Sequence, residues 1–202
     1  MTEYGTTTHG TPNGTTHGTT THGATTVRTV HTAHLTPAEL VEVRALLDTA
    51  FDGDFADEDW EHGLGGMHAL ISEGGEIVAH GSLVQRRVLH REHSLRVGYV
   101  EAVAVRADRR RQGLGGRIMA ALEEIVDGAY VFGALSASEA GAALYLGRGW
   151  QVWPGELSAL GPAGVVRLPE EEGTTYVRPA AGRSLPDAEA GLFFDWRDGD
   201  VL

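Results

Sequence analysis

The sequence predicts an α+β domain with a central mixed, mostly antiparallel twisted sheet flanked by helices. Residues 67–105 contain three strand-like runs separated by tight turns, which is typical of an antiparallel meander. An apolar strand within residues 99–105 then leads through a basic, glycine-rich loop into a helix with apolar residues at helical spacing. After that helix the pattern continues as strand, helix and short strands, so helices and strands are mixed along one chain.

Local signals place the elements that precede the meander. Residues 27–32 alternate apolar and polar side chains and predict the first strand. Thr36 and Pro37 are an N-cap and a first-turn proline, so a helix is predicted from here to about Phe51. The acidic segment, residues 52–61, has six acidic side chains in ten positions, and part of it is predicted to be a short helix capped by Asp57. Composition alone favours a solvated connection over a wall for a polycationic ligand.

The remaining elements follow from apolar runs and turn residues. In the meander, strands at 67–72, 76–85 and 94–105 are separated by turns at 73–75 and 90–93. Beyond the glycine-rich loop we predict a strand at 130–136, a helix at 138–148 with Ser138 as N-cap, and short strands at 151–153, 156–160 and 174–177. Residues 192–202 are both aromatic and acidic, and we expect them to be ordered.

Bulk properties exclude several classes of protein. The 202 residues suit one domain, and the absence of cysteine excludes disulfides, thiolate metal sites and a cysteine nucleophile. A net charge of -12 argues against nucleic acid as a partner and permits a cationic one. The sequence has no apolar run of membrane-spanning length and no signal-like start, so we expect a cytoplasmic protein without a membrane partner.

The first 26 residues differ in composition from the rest. They repeat Thr-His-Gly and Thr-Thr with almost no large apolar side chain, which predicts a disordered tail at residues 1–26 before a domain at 27–202. His9, His17 and His22 could bind a transition metal adventitiously, but an inert tail is favoured and no metal site is predicted.

The glycine-rich loop between the apolar strand and its helix is suited to bind a pyrophosphate. Free amides at a helix N-terminus attract phosphate groups, and Arg109 to Arg111 add positive charge. A nucleoside-triphosphate loop would need Gly-Lys-Ser/Thr, and a dinucleotide loop would need a glycine at Ile118. The pattern Arg110-x-x-Gly113-x-Gly115 instead resembles the acetyl-coenzyme A loop of the GNAT superfamily of N-acetyltransferases. An ordinary helix start with a basic cap is the alternative.

Further motifs extend this resemblance. The run from Leu144 and Tyr145 to Gly149 and Trp150 is similar to a GNAT helix end that places a tyrosine beside the coenzyme thiol. The element order also matches from about residue 27 to 177. The runs GDFADEDWEHGLGGMHALI, QRRVLHR, GYVEAVAVRAD and DWRDGDV together resemble the aminoglycoside 2'-N-acetyltransferases. This resemblance implies a GNAT fold, acetyl-coenzyme A as cosubstrate and a homodimer. It also implies that the acidic residues within 52–61 form a surface that binds a polycationic ligand, rather than a solvated connection.

Acetyl transfer to an amine requires a base, a polarised carbonyl and a proton for the leaving thiolate. Glu101, a lone charge in an apolar strand, is the candidate base, acting directly or through a water. The N–H of Val103 could donate to the thioester carbonyl if the strand bulges, which Gly98 and Ala102 make feasible. Tyr145 is the expected acid. The structural alternatives are an ion-paired strand glutamate and a core aromatic residue.

The resemblance also implies the binding residues. Acetyl-coenzyme A would be held along the strand and the loop by Val103, Ala104, Val105, Arg110, Arg111, Gln112, Gly113, Leu114, Gly115 and Gly116. The aminosugar would contact Asp54, Asp59, Glu101, Ala102, Ser136, Glu171 and Asp200. Two positions depart from the family pattern, because Glu171 stands where an aspartate is frequent and Leu202 where the family ends in tryptophan. The open alternatives are an endogenous aminosugar or polyamine as acceptor, and a non-catalytic acyl-coenzyme A binding module.

Overall fold

The computed structural model describes residues 26–202, so the tail predicted at residues 1–26 lies, apart from Thr26, outside the described residues. The described chain has ten strands and four α-helices. The strands are β1 Val27–His31, β2 Met67–Glu73, β3 Glu76–His90, β4 His93–Val105, β5 Phe132–Ser136, β6 Gln151–Val152, β7 Leu157–Gly161, β8 Gly164–Arg167, β9 Thr175–Pro179 and β10 Leu192–Asp195. The helices are α1 Pro37–Ala50, α2 Asp57–Gly63, α3 Leu114–Ala129 and α4 Glu139–Leu146.

All ten strands belong to one sheet, in which the order β6-β9-β5-β4-β3-β10-β7-β8 forms the main path. The first part of β3 also pairs with β2, and β2 pairs with β1, so the long β3 has different neighbours at its two ends. The β4–β5 and β7–β10 pairs are parallel and the other pairs are antiparallel. The predicted mixed, mostly antiparallel sheet is therefore confirmed.

The N-terminal caps of α1 and α2 differ in how well the sequence predicted them. Thr36 caps α1 as predicted: its hydroxyl accepts the N–H of Glu39 at 3.2 Å, and the Glu39 carboxylate accepts the N–H of Thr36 at 2.8 Å. The prediction that Asp57 caps α2 is wrong, because Asp57 is the first helical residue. Asp59 stabilises this helix start instead, through its carboxylate bond to the N–H of Ala56 at 2.9 Å.

The late part of the chain contains two strands that the sequence did not indicate, β8 and β10. Strand β10 inserts between β3 and β7, and its Leu192 and Phe194 are fully buried in the core. The expectation that residues 192–202 are ordered is confirmed. Among residues 26–202, no helix has the length and apolar character needed to cross a membrane.

Two irregularities of β4 create the site. Strand β4 pairs with β5 only from Val97 to Tyr99, and beyond this point the two strands diverge. The register with β3 also shifts, because Glu101 faces Ser82 whereas Ala104 faces His80, so β4 carries one extra residue opposite Gly81. The bulge on which the donor role of Val103 depends is thus present, and Ala102 within it has a φ of 49°.

The glycine that accommodates this bulge is Gly81, which the sequence did not single out. A Cβ atom there would lie 2.7 Å from Ile118 Cγ2 and 3.3 Å from Val103 Cγ2. Gly98, expected to ease the bulge, instead gives room to the ring of Tyr130, 2.9 Å from where its Cβ would be. Gly81 therefore permits the close contact between the sheet and α3, and Gly98 permits the contact with Tyr130 just after that helix.

Candidate active site

A cavity of about 300 Å³ opens where β4 and β5 diverge. Its lining comes from residues 51–62, from β4, from the end of β5, from α4 and from the C-terminal segment, residues 195–202. Eight residues singled out from the sequence lie together on its surface. They are Asp54, Asp59, Glu101, Ala102, Val103, Ser136, Tyr145 and Asp200.

Glu101 is a well-enclosed carboxylate of this cavity, with only 14% of its side chain exposed. Its Oε1 accepts a hydrogen bond from Nη1 of Arg197. Burial raises the pKa of the Glu101 carboxyl above its ordinary value, and the nearby guanidinium opposes part of that rise. A carboxylate whose proton affinity is raised in this way is suited to accept a proton near neutral pH.

Arg197 is a site residue whose contact with Glu101 the sequence did not reveal. Besides Glu101, its Nε donates to the carbonyl oxygens of Asp200 and Val201, at 3.2 and 3.0 Å. Its guanidinium also lies over the ring of Tyr99, 5.2 Å from the centroid. Arg197 therefore binds the C-terminal segment to β4 and sets the charge beside Glu101.

Tyr145 projects from α4 into the opposite side of the cavity. Its ring packs between Trp150 and Tyr176, with centroid distances of 6.4 and 6.1 Å, and its hydroxyl forms no hydrogen bond to a described residue. Burial raises the pKa of Tyr145 to about 12, so the phenol is protonated at neutral pH. It is thus both packed as a core aromatic and able to donate a proton into the cavity.

The glycine-rich loop leads from β4 to the N-terminus of α3. Gly113 is the N-cap of the helix with a φ of 79°, and Arg111 has a φ of 61°, so two left-handed residues turn the chain into the helix. Arg110, Arg111 and Gln112 are exposed, whereas the side chain of Leu114 is buried in the core. Leu114 can therefore contribute only its backbone to a ligand at this loop.

Similarity to known proteins identifies the family to which this chain belongs. Residues 31–153 match the family model for the acetyltransferase (GNAT) domain. The chain belongs to the GNAT acetyltransferases. It is 51% identical, over 179 residues, to an aminoglycoside 2'-N-acetyltransferase from Mycolicibacterium fortuitum, and the match covers 87% of this chain and 91% of that relative. The resemblance seen in the sequence is confirmed.

Solved GNAT structures share the fold. YhbS, a GNAT N-acetyltransferase from Escherichia coli solved in complex with CoA, superposes with a TM-score of 0.62 at 17% identity, covering 84% of this chain and 89% of that one. A GNAT acetyltransferase from Brucella melitensis in complex with acetyl-CoA gives 0.54 at 14% identity, covering 83% and 96%. At these identities the likeness shows the fold alone.

The GNAT acetyltransferase has a strongly acidic cavity. Asp54, Asp59, Glu101 and Asp200 contribute four carboxylates, against the single guanidinium of Arg197. Asp59 accepts one bond on Oδ2 to cap α2, which fixes its carboxylate and leaves acceptor capacity for a ligand. The acidic segment of residues 52–61 thus supplies part of the cavity surface as well as a helix start.

Glu171 is the substrate-site candidate that does not line the cavity. Its Oε2 accepts a hydrogen bond from the Ser136 hydroxyl at 2.9 Å, and the Thr174 hydroxyl lies 3.3 Å from the same oxygen. Glu171 therefore contacts the cavity through Ser136. Leu202 lines the cavity itself and is buried among core residues.

Several lining residues were not anticipated. Phe51 and Phe55 stack with centroids 5.4 Å apart on the side of the acidic segment, and Nε2 of His62 donates to the Asp198 carbonyl at 2.7 Å. Burial lowers the pKa of His62, and Arg197 lowers it further. The bond between His62 and Asp198 is a second link, after Arg197, between distant parts of the cavity wall.

Basic side chains near the loop are not all available to a ligand. Arg109 donates to Glu73 and to Asp108, at 2.8 Å in each pair, so its charge is largely committed within the protein. The Nε of Arg110 donates to the Val105 carbonyl at 3.2 Å. Among residues 26–202 there is no group of three His, Asp or Glu side chains placed to hold a metal ion.

Proposed function

We propose that this GNAT acetyltransferase transfers the acetyl group of acetyl-coenzyme A to the 2'-amino group of aminoglycosides, which would confer resistance to these antibiotics. The observation that carries the proposal is the acidic cavity, which combines Glu101 and Tyr145 with Asp54, Asp59 and Asp200 where β4 and β5 diverge. The relative with 51% identity bears the name of this activity. Aminoglycosides carry several ammonium groups, so a surface of carboxylates can bind them by charge-assisted hydrogen bonds.

Acetyl-coenzyme A would enter between β4 and β5. The backbone of Val103, Ala104 and Val105 has no strand partner on the β5 side, so it can pair with the amides of the pantetheine arm. The pyrophosphate would bind the loop from Arg110 to Gly116, where the first amides of α3 have no carbonyl partner within the helix.

The transfer follows from the placement of three groups. Glu101 takes a proton from the 2'-amine, directly or through a water, and the nitrogen attacks the acetyl carbonyl. The N–H of Val103 donates to the carbonyl oxygen while the C–N bond forms. As the C–S bond breaks, Tyr145 gives its proton to the departing thiolate, and coenzyme A leaves as the free thiol. Asp54, Asp59, Asp200 and, through Ser136, Glu171 would hold the remaining ammonium groups.

A thiol-release assay tests this proposal. Purified enzyme with acetyl-coenzyme A should release thiol with aminoglycosides that have a 2'-amine and not with those that have a 2'-hydroxyl. Glu101→Gln should lower turnover about 100-fold, the lower end of general-base contributions, while coenzyme binding survives. Glu124→Gln, on the exposed face of α3, is the matched control and should retain full turnover. Full turnover of Glu101→Gln with an unchanged pH dependence would exclude Glu101 as the base.

A second acceptor class is distinguished by the same assay. The buried Leu202 replaces an aromatic residue expected from the family pattern, which favours a different fit for the aminosugar. An endogenous aminosugar or polyamine would then be the better acceptor. Higher kcat/KM for a simple polyamine or monosaccharide amine than for any aminoglycoside would favour this alternative.

The expected homodimer has a candidate surface at the sheet edge. Strand β8 is an edge strand whose Val165 and Val166 are exposed, and Leu160 and Trp196 are also exposed. Apolar edge strands commonly pair with another chain. Sedimentation of the wild type and of Val165→Glu would test this, since only the wild type should then sediment as a dimer. The cytoplasmic location expected from the sequence stays a prediction.

A further inference from the structure

A pair of buried histidines lies behind the β4 bulge. His68 on β2 and His80 on β3 are each 1% exposed, and they contact each other through His68 Nδ1 and His80 Nε2 at 2.9 Å. At one end of the pair, Nδ1 of His80 lies 3.0 Å from the carbonyl oxygen of Ala102. At the other end, Nε2 of His68 lies 2.7 Å from the hydroxyl of Thr32.

The direction of every hydrogen bond in this chain is determined by the carbonyl at its end. A carbonyl only accepts, so His80 must carry its proton on Nδ1, and its Nε2 must accept the proton on His68 Nδ1. Nε2 of His68 then accepts the single proton of the Thr32 hydroxyl at 2.7 Å, in preference to the Gly66 carbonyl, which lies 3.2 Å from the same hydroxyl. The Thr32 oxygen itself accepts the N–H of Gly65 at 3.0 Å. Burial lowers the pKa of His68 to about 4 and that of His80 to about 3, so both rings are neutral, as this arrangement requires.

The acceptor of this chain is in an unusual conformation. Ala102 has a φ of 49°, a left-handed value that residues other than glycine rarely adopt unless their surroundings hold them. The hydrogen bond from His80 acts on the carbonyl of that same residue. His80 therefore stabilises the strained part of the bulge directly.

The same bond also orients the next N–H group. In a trans peptide unit the C=O and the following N–H lie in one plane and point in opposite directions. With the Ala102 carbonyl directed at His80, the N–H of Val103 points away from the histidine pair. Val103 and Ala102 both line the cavity, at the position where the acetyl carbonyl is placed in the proposed reaction.

We propose that His80, oriented by His68 and Thr32, is a positioning residue for acetyl transfer: by holding the Ala102 carbonyl it aims the Val103 N–H at the acetyl carbonyl oxygen. The inference rests on the proposed function for its kinetic consequence. It does not depend on which amine accepts the acetyl group.

Three variants separate positioning from folding. His80→Leu removes the donor to Ala102, and His80→Asn keeps an amide N–H close to the position of Nδ1. His90→Leu is the matched control, because His90 is also buried on β3 and bonds a carbonyl, that of Gly191 at 3.3 Å, at the opposite end of the strand. Melting temperatures identify any variant that is merely unfolded.

For His80→Leu we expect turnover to fall at least tenfold while KM for the aminoglycoside changes less than twofold. Calorimetric titration should show a loss of affinity for acetyl-coenzyme A and none for coenzyme A, since only the former has the acetyl oxygen. His80→Asn should recover most of both quantities, and His90→Leu should match the wild type. Equal losses for the two coenzymes, or equal effects of His80→Leu and His90→Leu, would overturn the proposal.

A measurement on the wild type covers the case in which His80→Leu does not fold. Nitrogen-15 spectra should show His80 as the tautomer protonated on Nδ1, and the Val103 amide proton should shift downfield with acetyl-coenzyme A but not with coenzyme A. An Nε2 tautomer, or a Val103 amide indifferent to the acetyl group, would refute the inference. A wild type that acetylates no aminoglycoside would remove the proposed acceptor and leave the binding and spectral results to be judged on their own.

Discussion

Replacing Arg197 with methionine should shift the pH dependence of catalysis. In the wild type the guanidinium donates to Glu101, and both side chains are about 15% exposed or less. The substitution leaves the carboxylate buried without its cation, so the neutral acid is favoured and the pKa of Glu101 rises. A hydrogen bond to a charged group contributes about 1.5–3 kcal/mol, and 1.36 kcal/mol corresponds to one pKa unit, so a rise of about one to two units is expected.

The assay is the pH profile of kcat/KM with one aminoglycoside, which reports groups of the free enzyme and free substrate. Because the base must be unprotonated, the acid limb should move to higher pH in Arg197→Met. The amine of the aminoglycoside has the same pKa in the assays of the wild type and of each variant, so its titration does not contribute to the difference between their pH profiles. Arg197→Lys, which keeps a cation, should shift the limb less. Arg91→Met removes an exposed ion pair with Asp187 and should shift nothing. An acid limb that stays in place in Arg197→Met would refute the assignment of Glu101 as a base tuned by this arginine.

Three further changes test the site and the fold. Asp200→Asn should raise KM for the aminoglycoside on the order of tenfold to a hundredfold through one lost charged hydrogen bond, and leave KM for acetyl-coenzyme A alone; wild-type KM values for both substrates would mean that this carboxylate does not bind the aminosugar. Glu123→Ala should lower the free energy of unfolding in urea by about 3–5 kcal/mol, because the buried carboxylate accepts two bonds from Arg148; a loss under 1 kcal/mol would show that water replaces it. Because His68 and His80 have low pKa values in the native state, the unfolded chain binds protons on these two side chains below pH 6.5 and the native state does not. Stability should therefore fall as pH drops from 6.5 towards 4, by up to about 1.4 kcal/mol per pH unit for each histidine, and equal urea midpoints at pH 7 and pH 5 would contradict it.

Features that depend on neighbouring residues were predictable. The cap formed by Thr36 and Glu39, the strand before the glycine-rich loop and the left-handed Gly113 all follow from residues within a few positions of one another. The bulge near Val103 entered only as a condition for the donor role of its N–H, which the sequence made feasible but did not predict. The presence of Glu101 and Tyr145 on one cavity was not a local inference, because it came from the resemblance to the GNAT family.

Features that depend on distant pairing were not predictable. Arg197 meets Glu101 only because β10 inserts beside β3 and directs the C-terminal segment back over β4. The contact between His68 and His80 requires the register of β2 on β3, which a single sequence does not specify. Asp57 was misassigned for a smaller reason: in a run of acidic residues, several can satisfy the rule for a cap, and backbone geometry selected Ala56 with Asp59.

The bond between Glu101 and Arg197 joins residues 96 positions apart, and this separation bears on the order in which the site forms. The strand, loop and helices that would hold acetyl-coenzyme A lie within residues 99–146, so their contacts close short loops at small entropic cost. The wall formed by the C-terminal segment can be added only after residues 195–202 have been synthesised, and contacts of such long range form slowly. During synthesis the protein would thus reach a state that has the coenzyme surface but has neither Arg197 nor Asp200 in place, and in that state Glu101 is an unpaired acid beside an open cleft.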